Sequence, residues 1–343
     1  MCIRDSLSTI TVRWNYTEDY LWRFLVYLND SLYYNGTDTE LNITNLNEST
    51  YEIFIVCVDK AGNSNSTRIF ITVDLTPPIL EVFYPSNDTV VNSSVLKIEI
   101  SYNETHPYLI QLDINGSYVL YYNPNSTIYV EFYEEGNYII TIIFYDKAGN
   151  SDECVISGLI YDSTNPIFSY VYPDNNTYYN STSVSVAWHA TDELSGISQF
   201  WIRIDYGAWI ILGTTNNFTI SELKDGKHII EILSFDRAGN KALIKIVIYI
   251  DTKDPNLSVI SPKNNTILNS SQVLLELNCI EENLAYYEIY MNDTLSLTTT
   301  ETLVTLSFSI DGYYKILVIA YDLAGNKNSI LVYILIDTTP PTL

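Results

Sequence analysis

Among residues able to do chemistry, carboxylates dominate: 41 Asp and Glu stand against 17 Lys and Arg, a net charge of −24. Catalysis needs a nucleophile or proton carrier beside a group that activates it. The three histidines, His106, His189 and His228, sit at no nucleophile–base spacing. No H-E-x-x-H, Gly-rich phosphate loop or nucleophile elbow occurs. Asp192-Glu193 has the groups for acid–base work, but it falls in a predicted exposed loop, where pKa values are rarely perturbed. Cys2, Cys57, Cys154 and Cys279 show no CxxC pairing and read as isolated buried thiols rather than a disulfide framework. The chain reads as not an enzyme.

Composition narrows the partners. A surface this acidic repels phosphate backbones, which excludes nucleic acid, and attracts divalent cations. Charged residues are nonetheless only 17% of the chain, so Asn, Ser and Thr must supply much of the solubility. No apolar run reaches the length of a membrane span. The opening MCIRDS lacks the apolar stretch of a signal peptide and fits nothing that follows.

The elements that position these residues recur. D-x-A-G-N occurs at Asp59–Asn63, Asp146–Asn150, Asp236–Asn240 and Asp322–Asn326, with a period of about 88 residues. D-x-x-x-P recurs at Asp74–Pro78, Asp162–Pro166, Asp251–Pro255 and Asp337–Pro341, and P-x-N-x-T at Pro85–Thr89, Pro173–Thr177 and Pro262–Thr266. Between the markers the apolar period is two, which predicts strands. Val184, Val186, Trp188 and Ala190 share one face. Ile10, Val12, Trp14 and Tyr16 correspond to them, as do Leu96, Ile98, Ile100 and Tyr102, and Val273, Leu275, Leu277 and Cys279. About seven short strands per repeat, with no sustained helical period, predict an all-β array of immunoglobulin-like sandwiches, beads on a string. Eight residues before each D-x-A-G-N aspartate stands a ring: Tyr51, Tyr138, His228 or Tyr314. The tyrosines resemble the tyrosine corner of that fold, and His228 departs from it.

The run G-x-Y-x-I-x-(I/V)-x-x-D-x-A-G-N, followed by a strand and D-x-T-x-P, resembles the bacterial and archaeal Ig-like, fibronectin type III-like tandem repeats of cell-surface proteins. Ala190–Ile197 and Ile204–Trp209 strengthen the likeness, which covers residues 8–337. The predicted organisation is a non-native-looking leader (1–7), a first repeat lacking its first strand (8–74), complete repeats at 75–162, 163–251 and 252–337, and the opening of another at 338–343. The expected setting is extracellular, with targeting and anchor segments outside this fragment. The expected function is a structural stalk, spacer or adhesin segment, facing other surface proteins or glycans. The alternative is a set of accessory modules of a secreted polysaccharide- or protein-degrading enzyme whose catalytic domain lies outside the fragment.

Two modifications of that scaffold are predicted. N-x-(S/T) sequons are dense and recur at Asn87, Asn175 and Asn264 and again at Asn92, Asn180 and Asn269, which points to N-glycosylation. The tyrosine doublets share no repeat position and read as strand residues rather than a sugar platform. In an immunoglobulin-like topology the turn after the second strand, with Glu18, Glu104, Asp192 and Glu281, shares a pole with D-x-A-G-N and the incoming linker. Asp74 would then approach Glu104 and Asp146, Asp162 would approach Asp192 and Asp236, and Asp251 would approach Glu281 and Asp322. Three carboxylates with backbone carbonyls suit calcium; solvated loop acids acting as turn caps are the alternative.

Overall fold

A computed structural model describes residues 2–5, 8–122 and 125–342, and every element in it is a strand. The chain forms two compact units, Met1–Ser163 and Thr164–Leu343. Each holds two separate apolar cores, and the four cores coincide with the four sequence repeats.

The third repeat shows the plan. A three-stranded antiparallel sheet places Val184–Thr191 between Ile167–Tyr172 and Asn217–Ile220. A five-stranded sheet runs Thr177–Tyr179, Lys241–Ile250, Gly226–Asp236, Ile197–Ile204, Ile210–Gly213. The second and fourth repeats have the same strand order. Alternation drives the stacking, because a strand with one apolar face must bury that face on another sheet. Val184, Val186, Trp188 and Ala190 are all buried. These are tandem β-sandwiches of the immunoglobulin and fibronectin type III kind.

Eight strands per complete repeat are found where about seven were expected. The extra one arises at P-x-N-x-T, where the first strand leaves one sheet and joins the other. Thr177–Tyr179 pairs in parallel with Lys241–Ile250, whereas Ile167–Tyr172 pairs with Val184–Thr191. The marker is the machinery of that switch. Its proline follows a cis bond at Tyr84-Pro85, Tyr172-Pro173 and Ser261-Pro262. Its fourth residue, Asp88, Asn176 or Asn265, has φ near +60°, which Asn and Asp tolerate better than most side chains. Its threonine hydroxyl donates to the carbonyl three residues back: Thr89 to Ser86 at 2.7 Å, Thr177 to Asp174 at 2.8 Å, Thr266 to Lys263 at 2.6 Å.

The first repeat differs. Ile10–Arg13 pairs only with Glu40–Ile43 among the described residues, so its sheet has two strands. Cys2–Asp5, in the segment expected to fit nothing in the repeat, pairs in parallel with Ser64–Val73. That is the place Thr177–Tyr179 takes in the third repeat, since a free strand edge accepts any extended segment that reaches it. Met1, Ser6 and Leu7, and the side chains of residues 1–7, lie outside the described residues.

Each core keeps its volume by exchanging sizes across facing strands. Trp188 meets Phe200 edge to face at 5.7 Å, opposite the small Ser234. Trp14 meets Phe24 at 5.5 Å, opposite Cys57. The second repeat uses Ile100, Ile110 and a large Phe144, and the fourth uses Leu277, Tyr287 and Ala320. Packing at crystal-like density tolerates such swaps only when one position shrinks as another grows.

Candidate functional site: the linker pole

Many of the recurrent polar residues converge on the linkers. In each D-x-A-G-N hairpin the aspartate amide donates to the asparagine carbonyl, at 3.0 Å for Asp59–Asn63 and 3.1 Å for Asp322–Asn326. The aspartate Oδ1 accepts the asparagine amide, and Oδ2 accepts the asparagine Nδ2 at 2.7–2.8 Å. The glycine has φ near +90°, a conformation that costs other residues strain. None of the four D-x-A-G-N asparagines has positive φ. The asparagine side chain is the functional part.

That side chain also reaches the preceding linker. Asn150 Nδ2 donates to the Asp74 carbonyl at 2.8 Å, and Asn326 Nδ2 to the Asp251 carbonyl at 2.7 Å. The departing repeat grips the same linker from its own side. The Asp251 amide donates to Tyr179 O at 2.9 Å, and Thr252 donates its amide and hydroxyl to Asp225 Oδ1 at 3.1 and 2.8 Å. The clip recurs with Thr76 on Glu48, Ser163 on Glu135 and Thr338 on Asp311. The Thr252 hydroxyl, with Lys253 beside it, holds the Asp225 carboxyl below its ordinary range; the Thr338 hydroxyl and amide do the same for Asp311. In every repeat the acid precedes its linker Ser or Thr by 27 or 28 residues, a spacing that could have revealed the clip from sequence.

The acids expected around calcium are placed as follows. Asp251, Glu281 and Asp322 offer ligand atoms within 4.8 Å of one another, as the topology argument required. In the first unit the group is Asp74, Glu104 and His106, so histidine stands where Asp146 was expected. Asp146 Oδ1 accepts the Gly149 and Asn150 amides, much as Asp322 Oδ1 accepts that of Asn326. The turn acids have a conformational reason to recur: Glu18, Glu104, Asp192 and Glu281 each accept the amide two residues on, from Tyr20, His106, Leu194 and Asn283. Asp162 closes the first unit with its amide on Val91 O, and the buried Asp236 binds Asn240. Burial pushes the Asp74 carboxyl up; the Thr76 amide opposes this, while Asp146, Glu104 and Glu48 reinforce it.

The corner beside the outgoing linker is intact in all four repeats. Tyr51, Tyr138 and Tyr314 donate to the carbonyl four residues back at 3.1, 2.6 and 2.8 Å. His228, which put that bond in doubt, makes it with Nε2 on Lys224 O at 2.7 Å. Its Nδ1 lies 2.7 Å from Asp205 Oδ2, so both ring nitrogens face acceptors and the imidazolium is favoured. Burial works against that charge, but the Lys224 carbonyl and the Asp205 carboxylate outweigh it and raise the pKa.

Cys57, Cys154 and Cys279 are free thiols, each pushed up in pKa by burial. Of the tyrosine doublets, Tyr178 stacks on Tyr249 and Tyr286 on Tyr321. The Tyr122 side chain lies outside the described residues. Asn87, Asn175 and Asn264 are exposed, and each Oδ1 accepts a strand amide: Ser157, Val247 and Tyr333 at 2.8–2.9 Å. Their recurrence thus has a structural cause.

No family model and no curated protein matches the sequence. Solved structures do. Fibronectin(III)-like modules of Clostridium thermocellum CbhA match at 11% identity and TM-score 0.37, over 50% of this chain and 93% of theirs. Sidekick-1 immunoglobulin domains 1–5 match at 10% and 0.35, over 98% and 78%. A tetra-tandem repeat in the extending region of a large adhesion protein matches at 14% and 0.32, over 98% and 99%. The chain is a tandem immunoglobulin-like β-sandwich protein.

Proposed function

We propose that this chain is a spacer segment of an extracellular surface protein, acting by keeping successive sandwiches in fixed register rather than by transforming a substrate. The observation that carries the reading is the linker held from both sides, by Asp225 on Thr252 and by Asn326 on the Asp251 carbonyl. A flexible tether needs no such bonds. Proline at Pro255 stiffens what remains. The acidic, Asn-rich surface suits a segment that stays solvated and does not self-associate.

The test is the width of a distance distribution between spin labels on exposed residues of the third and fourth repeats, measured by pulsed electron resonance on the full chain. A narrow distribution that broadens in Asn326→Ala supports the spacer. An equally broad one in the parent chain sinks it.

A further inference from the structure

We propose that Asn92, Asn180 and Asn269 carry N-linked glycans, whereas Asn87, Asn175 and Asn264 recur for the fold. The proposal rests on the extracellular reading, since it needs a glycosylating secretory route. A division of labour inside one tripeptide carries it. Asn92-Ser93-Ser94, Asn180-Ser181-Thr182 and Asn269-Ser270-Ser271 each link the parallel strand segment to the long strand of the other sheet. The middle serine has a clear structural duty. Ser93 Oγ donates to Val95 O at 3.0 Å and accepts its amide at 3.2 Å; Ser181 does so with Ser183, and Ser270 with Gln272.

The side chains on either side have none. Asn92, Asn180 and Asn269 are exposed and make no side-chain hydrogen bond among the described residues. The third residue contributes only its main-chain carbonyl, to Phe132, Leu223 and Phe308. Asparagine and the hydroxyl two residues on are the two groups a glycosyl transferase reads. At Asn87, Asn175 and Asn264 both are already engaged, the amide oxygen by a strand amide and the threonine by a carbonyl. A third recurrent set, Asn29, Asn115 and Asn292, is likewise structural: each has φ near +50° in a two-residue hairpin and caps Glu52, Ile139 or Lys315. Asp205, which cannot be glycosylated, makes the same cap to Ile229 in the third repeat. Only the set at 92, 180 and 269 recurs without a conformational reason.

The step is a substitution at the sugar C1. The asparagine Nδ2 forms the N–C1 bond, the bond from C1 to a lipid-linked diphosphate breaks with its electron pair leaving on phosphate, and one Nδ2 proton is lost to a base of the transferase. The donor is a polyprenyl-diphosphate oligosaccharide supplied by the secretory membrane.

The test sends the full chain behind a cleavable signal into a glycosylating secretory lumen, then maps occupancy by releasing glycans in heavy-oxygen water and sequencing the peptides. Occupancy at 92, 180 and 269, with three glycan steps lost in the N92Q/N180Q/N269Q variant, is expected. Lumenal chain unmodified at all three, or modified only elsewhere, overturns the inference and leaves the spacer reading standing. A broad label distribution in chain glycosylated at the three sites would sink the spacer reading alone. In unglycosylated chain the same variant should melt as the parent does, which a structural role for these asparagines would contradict.

Discussion

Asn326 and Asp251 are 75 residues apart in sequence, yet the Asn326 Nδ2 lies 2.7 Å from the Asp251 carbonyl oxygen while also holding Asp322 Oδ2 at 2.7 Å. One amide group thus closes its own hairpin and fastens the strap that delivers its repeat. Asn63, in the first repeat, bonds Asp59 in the same way.

Asn326→Ala should therefore cost more than Asn63→Ala. Both lose an amide-to-carboxylate bond, exposed at Asn63 and part-buried at Asn326, but only the first also strands the Asp251 carbonyl, about 1–2 kcal/mol more. Amide exchange resolved by repeat measures both, and equal losses would refute the strap.

His228 makes the third repeat sensitive to pH. Its folded pKa is raised, so its stabilising contribution is full below about pH 6.5, the ordinary value, and is lost as pH rises through the folded value. The melting temperature of the third repeat should fall as pH rises from below about 6.5 through the raised folded value. His228→Tyr should flatten that slope while keeping the bond to Lys224. A slope that survives the substitution points to another group.

The two tryptophans at one core position should separate. Trp188 is 1% exposed, whereas Trp14 is half-buried and lines an open cleft of about 400 Å³. Trp188→Ala should cost about 3–5 kcal/mol and Trp14→Ala clearly less. Acrylamide should quench a chain retaining only Trp14 more than one retaining only Trp188; the reverse order would contradict the open cleft beside Trp14.

Asn175→Ala should destabilise the third repeat by about 1–2 kcal/mol in protein made without glycosylation, because the Val247 amide loses its acceptor. Asn175→Asp should recover most of that loss. A change felt only in glycosylated chain would return this position to the modification sites.

Period, parity and the corner ring were legible because each repeats as a residue type at a constant spacing. Val184, Val186, Trp188 and Ala190 could be placed by alternation alone. The sheet switch was hidden, since P-x-N-x-T looks the same whether its asparagine carries sugar or caps Val247. His228 looked like a departure because a letter comparison cannot see that imidazole presents a donor where phenol does. The carboxylate trio at Asp251 could be inferred from topology, but the entry of His106 beside Asp74 depends on local turn geometry.

Thr177–Tyr179 and Lys241–Ile250 run side by side in the same direction, one near the entry and one at the exit of their sandwich. Tension applied through the two ends of that repeat drags these neighbours in opposite senses along their length. Their ladder bonds are then loaded together, in shear, instead of opening one after another like a zip. The same lay of strands holds for Val90–Val91 on Ser151–Tyr161 and Thr266–Leu268 on Lys327–Ile336. A sandwich wired this way resists pulling until several bonds fail at once, so under traction each bead should give way abruptly and at a rate set by its unfolding barrier.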